Sequence, residues 1–231
     1  KKMKKVDKVV GPGSSWVTLA KKEVSDIVGI DGLHGPSEIL VVADKYSNPE
    51  WVAADILAQS EHSSDSMSIL FSKDKEFISK VKVLIKSQLK KLTRKSIARK
   101  SLATNGIIVY VPSDKKIIEL VNKVGPEHLS ISTINYKKIL PKINNAGSIA
   151  CGPGAIMALT DYVSGSNHIL PTESKSHYSS GLNVFEFYKK ISIVNHSKLG
   201  VETLAREAIT LAQYEKLQAH AESIKLRIRR K

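Results

Sequence analysis

Four pairs of polar side chains in this sequence have types and spacings that chemistry can use: Gln59 with His62, Glu127 with His128, Asp161 with His168, and Glu215 with His220. A separation of three puts Gln59 and His62 on one face near the end of a helix, aimed at a single object. Imidazoles and carboxylates are the usual ligands and orienters of a zinc site that keeps an open position. Glu127 and His128 are two adjacent titratable groups, one able to activate water and the other able to shuttle protons near neutral pH. Each residue taken singly also has a plainer reading. His62 suits a helix C-terminus, Asp161 a turn or helix cap, His168 a hydrogen-bonded loop imidazole, and His220 a solvated helix face.

The elements that must position these residues follow from periodicity. Glu38 to Ala43 (EILVVA) predicts a buried strand, and Asn48-Pro49 opens a helix, Asn as N-cap and Pro at the first position, that runs to about His62. A strand at Ser66 to Phe71, a basic helix, a strand at Gly106 to Val111, a helix opened by Ser113 and Asp114, and a strand near Leu129 to Thr133 follow. A further helix and the run Gly147 to Ala150 complete the series. This alternation predicts an α/β fold, a largely parallel sheet with helices on both faces. Glu127 and His128 precede a strand, whereas the crevice of such sheets lies beyond the strand C-termini, so their position alone does not decide their role. From about residue 152 to Ser180 the texture is loop-rich, and from Lys198 a helical period returns through Leu199, Leu204, Ala208, Leu211, Ala212 and Leu217 as a C-terminal helical appendage.

With 231 residues, 42% of them hydrophobic, the chain can form one large domain or two small ones. The lone Cys151 excludes a disulfide framework, and no apolar run approaches the roughly 18 residues of a membrane span, so a reducing, cytoplasmic compartment is expected, with no membrane partner. The first residue is Lys1, with no signal-peptide core behind it, and the expectation is a truncated chain. A net charge of +14 invites a nucleic-acid reading. Against it, the densest basic stretch, Lys73 to Lys100, interleaves lysines with Phe77, Ile78, Val81, Leu84, Ile85, Leu89 and Leu92, the pattern of one solvated amphipathic helix. The tail residues Lys225, Arg227, Arg229, Arg230 and Lys231 suit a helix C-terminus. No nucleic-acid module accompanies them, and no nucleic-acid partner is expected.

The runs VDKVVGPGSSWVTLAKKEV, GIDGLHGPSEILVVAD, WVAADILAQSEH, VGPEHLSI, DYVSGSNHILPT and YSSGLNVFEF, with the closing EKLQAHAESIKLR, resemble in order and spacing the signature blocks of the histidinol dehydrogenase family. The resemblance covers nearly the whole chain and lacks the family's N-terminal portion. It implies an incomplete Rossmann-like sheet, with residues 1–37 a remnant of a nucleotide-binding-type domain, 38–190 an α/β core and 191–231 a dimer-swapped helical segment. It implies NAD-dependent, zinc-dependent oxidation of L-histidinol through the aldehyde to L-histidine, the last steps of histidine biosynthesis, in a homodimer with shared sites. By the same resemblance Gln59, His62, Asp161 and His220 are zinc ligands, Glu127 and His128 the acid/base pair, and Ser37, His168 and Glu215 substrate contacts. Ser14 stands at a cofactor contact where the family usually has Asn, and Gly154 to Thr160 (GAIMALT) departs from its usual Thr-Pro-Glu loop. Two other readings are a zinc-binding fragment without turnover and a basic nucleic-acid-binding α/β protein.

Overall fold

A computed structural model describes residues 4–228, and the chain divides into two compact units, the first ending at Phe187 and the second beginning at Tyr188. The first unit opens with two short strands, β1 (Lys8–Val9) and β2 (Gly29–Ile30), paired in parallel on either side of the helix α1 (Ser15–Val24). The buried Lys21 on α1 forms an ion pair with the buried Asp31 and donates to the Gly11 carbonyl at 2.8 Å, while Asp31 accepts from the Gly11 N–H at 2.7 Å. That clamp holds the Gly11-Pro12-Gly13 turn, where Gly11 takes a φ of +114° that other residues rarely adopt.

The main sheet contains β3 (Glu38–Ala43), β4 (Met67–Ser72), β5 (Gly106–Tyr110), β6 (His128–Ile131) and β7 (Ser148–Cys151), all parallel, in the order β5-β4-β3-β6-β7. All six residues of the central β3 are buried, which is why it reads as a continuous apolar run rather than an alternation. Side chains alternate between two cores. Ile39, Val41, Ala43 and Leu70 pack against α2 (Pro49–Ser60), α3 (Lys75–Leu89), α4 (Lys95–Asn105) and α7 (Met157–Tyr162). Leu40, Val42, Ile69, Phe71, Leu129 and Ile131 pack against α5 (Asp114–Val124) and α6 (Tyr136–Ile139). Both faces of the sheet are therefore covered, as the alternation predicts.

The predicted helix boundaries hold where capping chemistry is explicit. The Asn48 side chain accepts from the Glu50 N–H at 2.9 Å, Ser113 Oγ accepts from the Lys116 N–H at 3.2 Å, and α5 ends on Gly125 in the left-handed conformation. The single basic helix expected over Lys73 to Lys100 is instead two, α3 and α4. A straight helix of that length would reach about 42 Å, whereas the six-residue strand it returns along is about 20 Å long. The chain must turn to reach the starting edge of β5, and α4 uses small residues there: Ala98 is fully buried, and the buried Ser101 donates to the Ser66 carbonyl at 2.8 Å. Periodicity also missed α7 inside the loop-rich region, which is anchored by the buried Met157.

The second unit is a helical hairpin, α8 (Lys198–Tyr214) and α9 (Gln218–Ile228), in which Ala205, Ala212 and Ala221 are buried. It breaks at Lys216, whose φ is +61°. Lys225 and Arg227 lie in the last turn of α9, as expected for cations near a helix C-terminus. Arg229, Arg230 and Lys231 lie outside the described residues. Among the described residues no helix is long and apolar enough to cross a membrane.

Candidate functional site

Parallel strands place all their N-termini at one edge, and the helices that connect them run back to that same edge with their C-termini. There the first unit gathers Ser37 and Glu38 at the start of β3, Gln59 and His62 at the end of α2, Glu127 and His128 at the start of β6, and Asp161 on α7. The crevice at the opposite edge, between β3 and β6 where the strand order reverses, is bridged. Ser47 donates to the Ser132 carbonyl at 3.0 Å and accepts from the Asp44 N–H at 2.9 Å, all three residues being buried. The candidate site thus lies at the strand N-termini, which answers the question of edge that the sequence left open.

Glu127 and His128 are almost fully buried, at 5% and 1% exposure. Glu127 Oε2 accepts from the Glu38 N–H at 2.8 Å, and the Ser37 hydroxyl bonds to the same carboxyl. His128 Nε2 lies 3.8 Å from Glu127 Oε2 and 3.7 Å from Asp161 Oδ1, between two carboxylates and hydrogen-bonded to neither. His168, exposed on the loop after α7, brings Nδ1 to 3.2 Å from Asp161 Oδ1 and stacks its ring 6.4 Å from that of His128. Burial pushes Glu127 up to about 8, helped by the charges of Glu38 and Asp161 and opposed by the Glu38 N–H and the Ser37 hydroxyl. Burial drives His128 the other way, well below the ordinary imidazole range, with His168 and His62 adding to the effect and Asp161 opposing it. At neutral pH the edge therefore carries a protonated carboxyl beside a neutral imidazole, an acid next to a base.

Gln59, His62 and Asp161 line one cavity of about 410 Å³ with Asp55, Arg94 and Tyr162. Among the described residues no three His, Cys, Asp or Glu side chains form a metal-holding group, and this set combines an imidazole and a carboxylate with an amide. The three nevertheless fit a divalent cation. Gln59 is 96% buried at the cavity wall, and of its amide only the Oε1 oxygen could face a cation, the Nε2 group being a donor. An oxygen, a nitrogen and a carboxylate suit zinc. Asp55 was missed in the sequence, although Asp55, Gln59 and His62 follow the i, i+4, i+7 spacing of one helix face. Burial raises its carboxyl to about 6.

A second cavity, of about 470 Å³, is lined by Gly13, Ser14 and Ser15 at the N-terminus of α1 with His34, Ser63, Asp65 and Glu173. Ser14 is the N-cap residue of α1, and its side chain makes no capping bond. The divergent Gly154 to Thr160 stretch leads into and forms most of α7, whose buried Met157 holds Asp161 one turn later at the first cavity. Glu215 and His220 fall in the second unit, both exposed, Glu215 capping the end of α8 and His220 in the first turn of α9.

With this geometry in hand, comparison with known proteins gives one answer. The histidinol dehydrogenase family model matches residues 1–228. The chain is 58% identical to the histidinol dehydrogenase of Pelagibacter ubique (strain HTCC1062) over all of its own length and 54% of that relative. It is 44% identical to that of Hydrogenovibrio crunogenus, covering 97% of this chain and 52% of the relative. The crystal structure of histidinol dehydrogenase from Elizabethkingia anophelis matches with a TM-score of 0.92 at 38% identity, over 98% of this chain and 52% of that one. The chain spans about half the length of the relatives it matches. It belongs to the histidinol dehydrogenase family.

Proposed function

We propose that this chain carries the metal and acid/base half of a cytoplasmic, homodimeric enzyme that oxidises L-histidinol through its aldehyde to L-histidine. The observation that carries the reading is the meeting of Gln59, His62 and Asp161 at one cavity beside the buried Glu127–His128 pair. Gln59, His62 and Asp161 would hold zinc, with His220 as the fourth ligand, and Ser14 would contact NAD at the α1 turn. When bound, zinc supplies a Lewis-acidic anchor for the substrate's nitrogen atoms and NAD the hydride acceptor.

The protein's own groups do the proton work. His128, neutral through burial, takes the hydroxyl proton at Nε2 in the first oxidation. Glu127, once ionised, removes a proton from the water that adds to the aldehyde. Ser37, His168 and Glu215 would orient the substrate, so that small misplacements cost rate through geometry rather than chemistry. On this reading residues 1–37 belong to the cofactor side, 38–190 to the catalytic core and 191–231 to a segment exchanged between subunits. Its partners are a small molecule and a second copy of itself, not nucleic acid or a membrane.

The test is metal content and turnover of the full-length protein. About one zinc per site is expected, and His62→Ala should weaken zinc binding roughly tenfold or more. Full zinc occupancy in that variant would remove His62 from the ligand set. Zinc binding without histidinol oxidation by residues 1–231 alone would mark them as an incomplete site.

A further inference from the structure

Glu38 is a buried carboxyl that the proposed chemistry leaves without a role. It is 6% exposed and opens β3 immediately beside Glu127, since Ile39 pairs with His128 in the register of β3 and β6. Its main-chain N–H holds Glu127 Oε2 at 2.8 Å, and its Oε1 accepts from the Glu173 N–H at 2.9 Å. The Glu38 side chain is thereby fixed to the segment of residues 170–173, which is also pinned by Gly35 N–H donating to Thr172 Oγ1 at 2.6 Å and by the His34 Nδ1 contact with the Leu170 carbonyl at 3.0 Å.

We propose that Glu38 is a positioning residue for Glu127, a second buried carboxyl on the neighbouring strand that fixes the protonation state in which Glu127 meets water and substrate. This rests on the reading of Glu127 as the base of the hydration step. Two buried carboxyls on adjacent strands do not both ionise freely, and their surroundings decide which yields first. Burial raises the Glu38 carboxyl above its ordinary range, but the main-chain N–H groups of Glu173 and Glu127 and, across the segment, the ammonium of Lys175 oppose that rise, with the Glu173 carboxylate adding to it. Glu127 faces Glu38 from β3, His128 from its own strand and Asp161 from α7, and its favourable contacts are the Glu38 N–H and the Ser37 hydroxyl. Glu38 therefore ionises first, and its charge keeps the proton on Glu127. The two influences of Glu38 are separable, because the N–H belongs to the backbone and the charge to the side chain.

Glu38→Gln keeps the N–H and an acceptor for Glu173 and removes only the charge. In metal-free full-length protein, an infrared titration of buried carboxyl groups should show a band assigned to Glu127 by its loss in Glu127→Gln. Its midpoint should fall by about one unit or more in Glu38→Gln and stay raised in Glu38→Asp. An unchanged midpoint in a folded Glu38→Gln protein would overturn the proposal. If that variant does not fold, carboxyl-carbon NMR titration of the unaltered protein decides. A Glu127 signal that shifts in two steps, the first tracking Glu38, supports the pairing, and a single step independent of Glu38 overturns it. Failure of the underlying reading looks different: Glu127→Gln would then oxidise the aldehyde normally, whatever the midpoint does.

Discussion

The protonation of Glu127 and His128 divides the labour proposed for them, and variants can separate the two. Glu127→Gln should keep most of the histidinol-to-aldehyde step and lose about 100-fold or more in aldehyde-to-histidine turnover, whereas His128→Asn should damage both. Equal losses in both half-reactions for Glu127→Gln would contradict the division. Asp55 makes a prediction about stability. Its folded-state value, about 6, lies above the ordinary 3.8, so the folded protein holds this proton more tightly than the unfolded chain does. That stabilisation is fully present below 3.8 and is lost as pH rises through 6. Asp55→Asn, which has no charge to bury, should therefore stabilise metal-free protein at pH 8 by on the order of 1–2 kcal/mol. The gain should vanish near pH 4, and thermal melts at the two pH values would expose a wrong sign.

At the scale of elements, the site depends on how strand starts are approached by turns and helix ends. Gly147 lies against the turn before β6: its N–H donates to the Pro126 carbonyl at 2.9 Å, and a Cβ there would come within 2.6 Å of the Glu127 carbonyl oxygen. Gly147→Val should cost about 2 kcal/mol or more of stability and displace Glu127, so aldehyde oxidation should suffer more than the melting temperature alone explains. A variant that melts early yet keeps wild-type kinetics when cold would show that the turn does not aim Glu127. The Asn48 cap acts from the far end of α2. Its loss in Asn48→Ala should cost about 1 kcal/mol, read by denaturant midpoint, and loosen the helix end that carries Gln59 and His62.

At the scale of the molecule, the helical hairpin leaves large apolar side chains exposed. Leu199, Leu204 and Leu211 are 73%, 57% and 63% exposed, while the alanines make the hairpin's own contacts. An apolar surface of this kind on a segment carrying Glu215 and His220 is what a donated tail would need. If each subunit of a two-fold dimer gives its tail to the other, His62→Ala and His220→Ala proteins, each inactive alone, should complement when mixed and allowed to exchange. Half the dimers are then mixed, and each has one intact site, so about a quarter of wild-type activity returns. Verified exchange with no recovery would mean that the tails stay at home.

What the sequence determined by itself was local chemistry: the caps at Asn48 and Ser113, the buried run of β3, and the pairing of residue types at Gln59–His62 and Glu127–His128. These depend on neighbours a few residues away, and the family blocks added which of those types belong to one site. The tertiary structure decided the rest, because it depends on residues far apart in the chain. Strand order put the start of β3 beside the start of β6, which turned Glu38 from an unremarked strand residue into Glu127's buried neighbour across 89 positions. The length of the sheet, not helical propensity, broke the basic stretch into α3 and α4. Packing of Met157 made a helix in a loop-rich region and carried Asp161 to within 3.7 Å of His128. Burial, which no spacing reveals, set the carboxyl of Glu127 and the imidazole of His128 apart as acid and base.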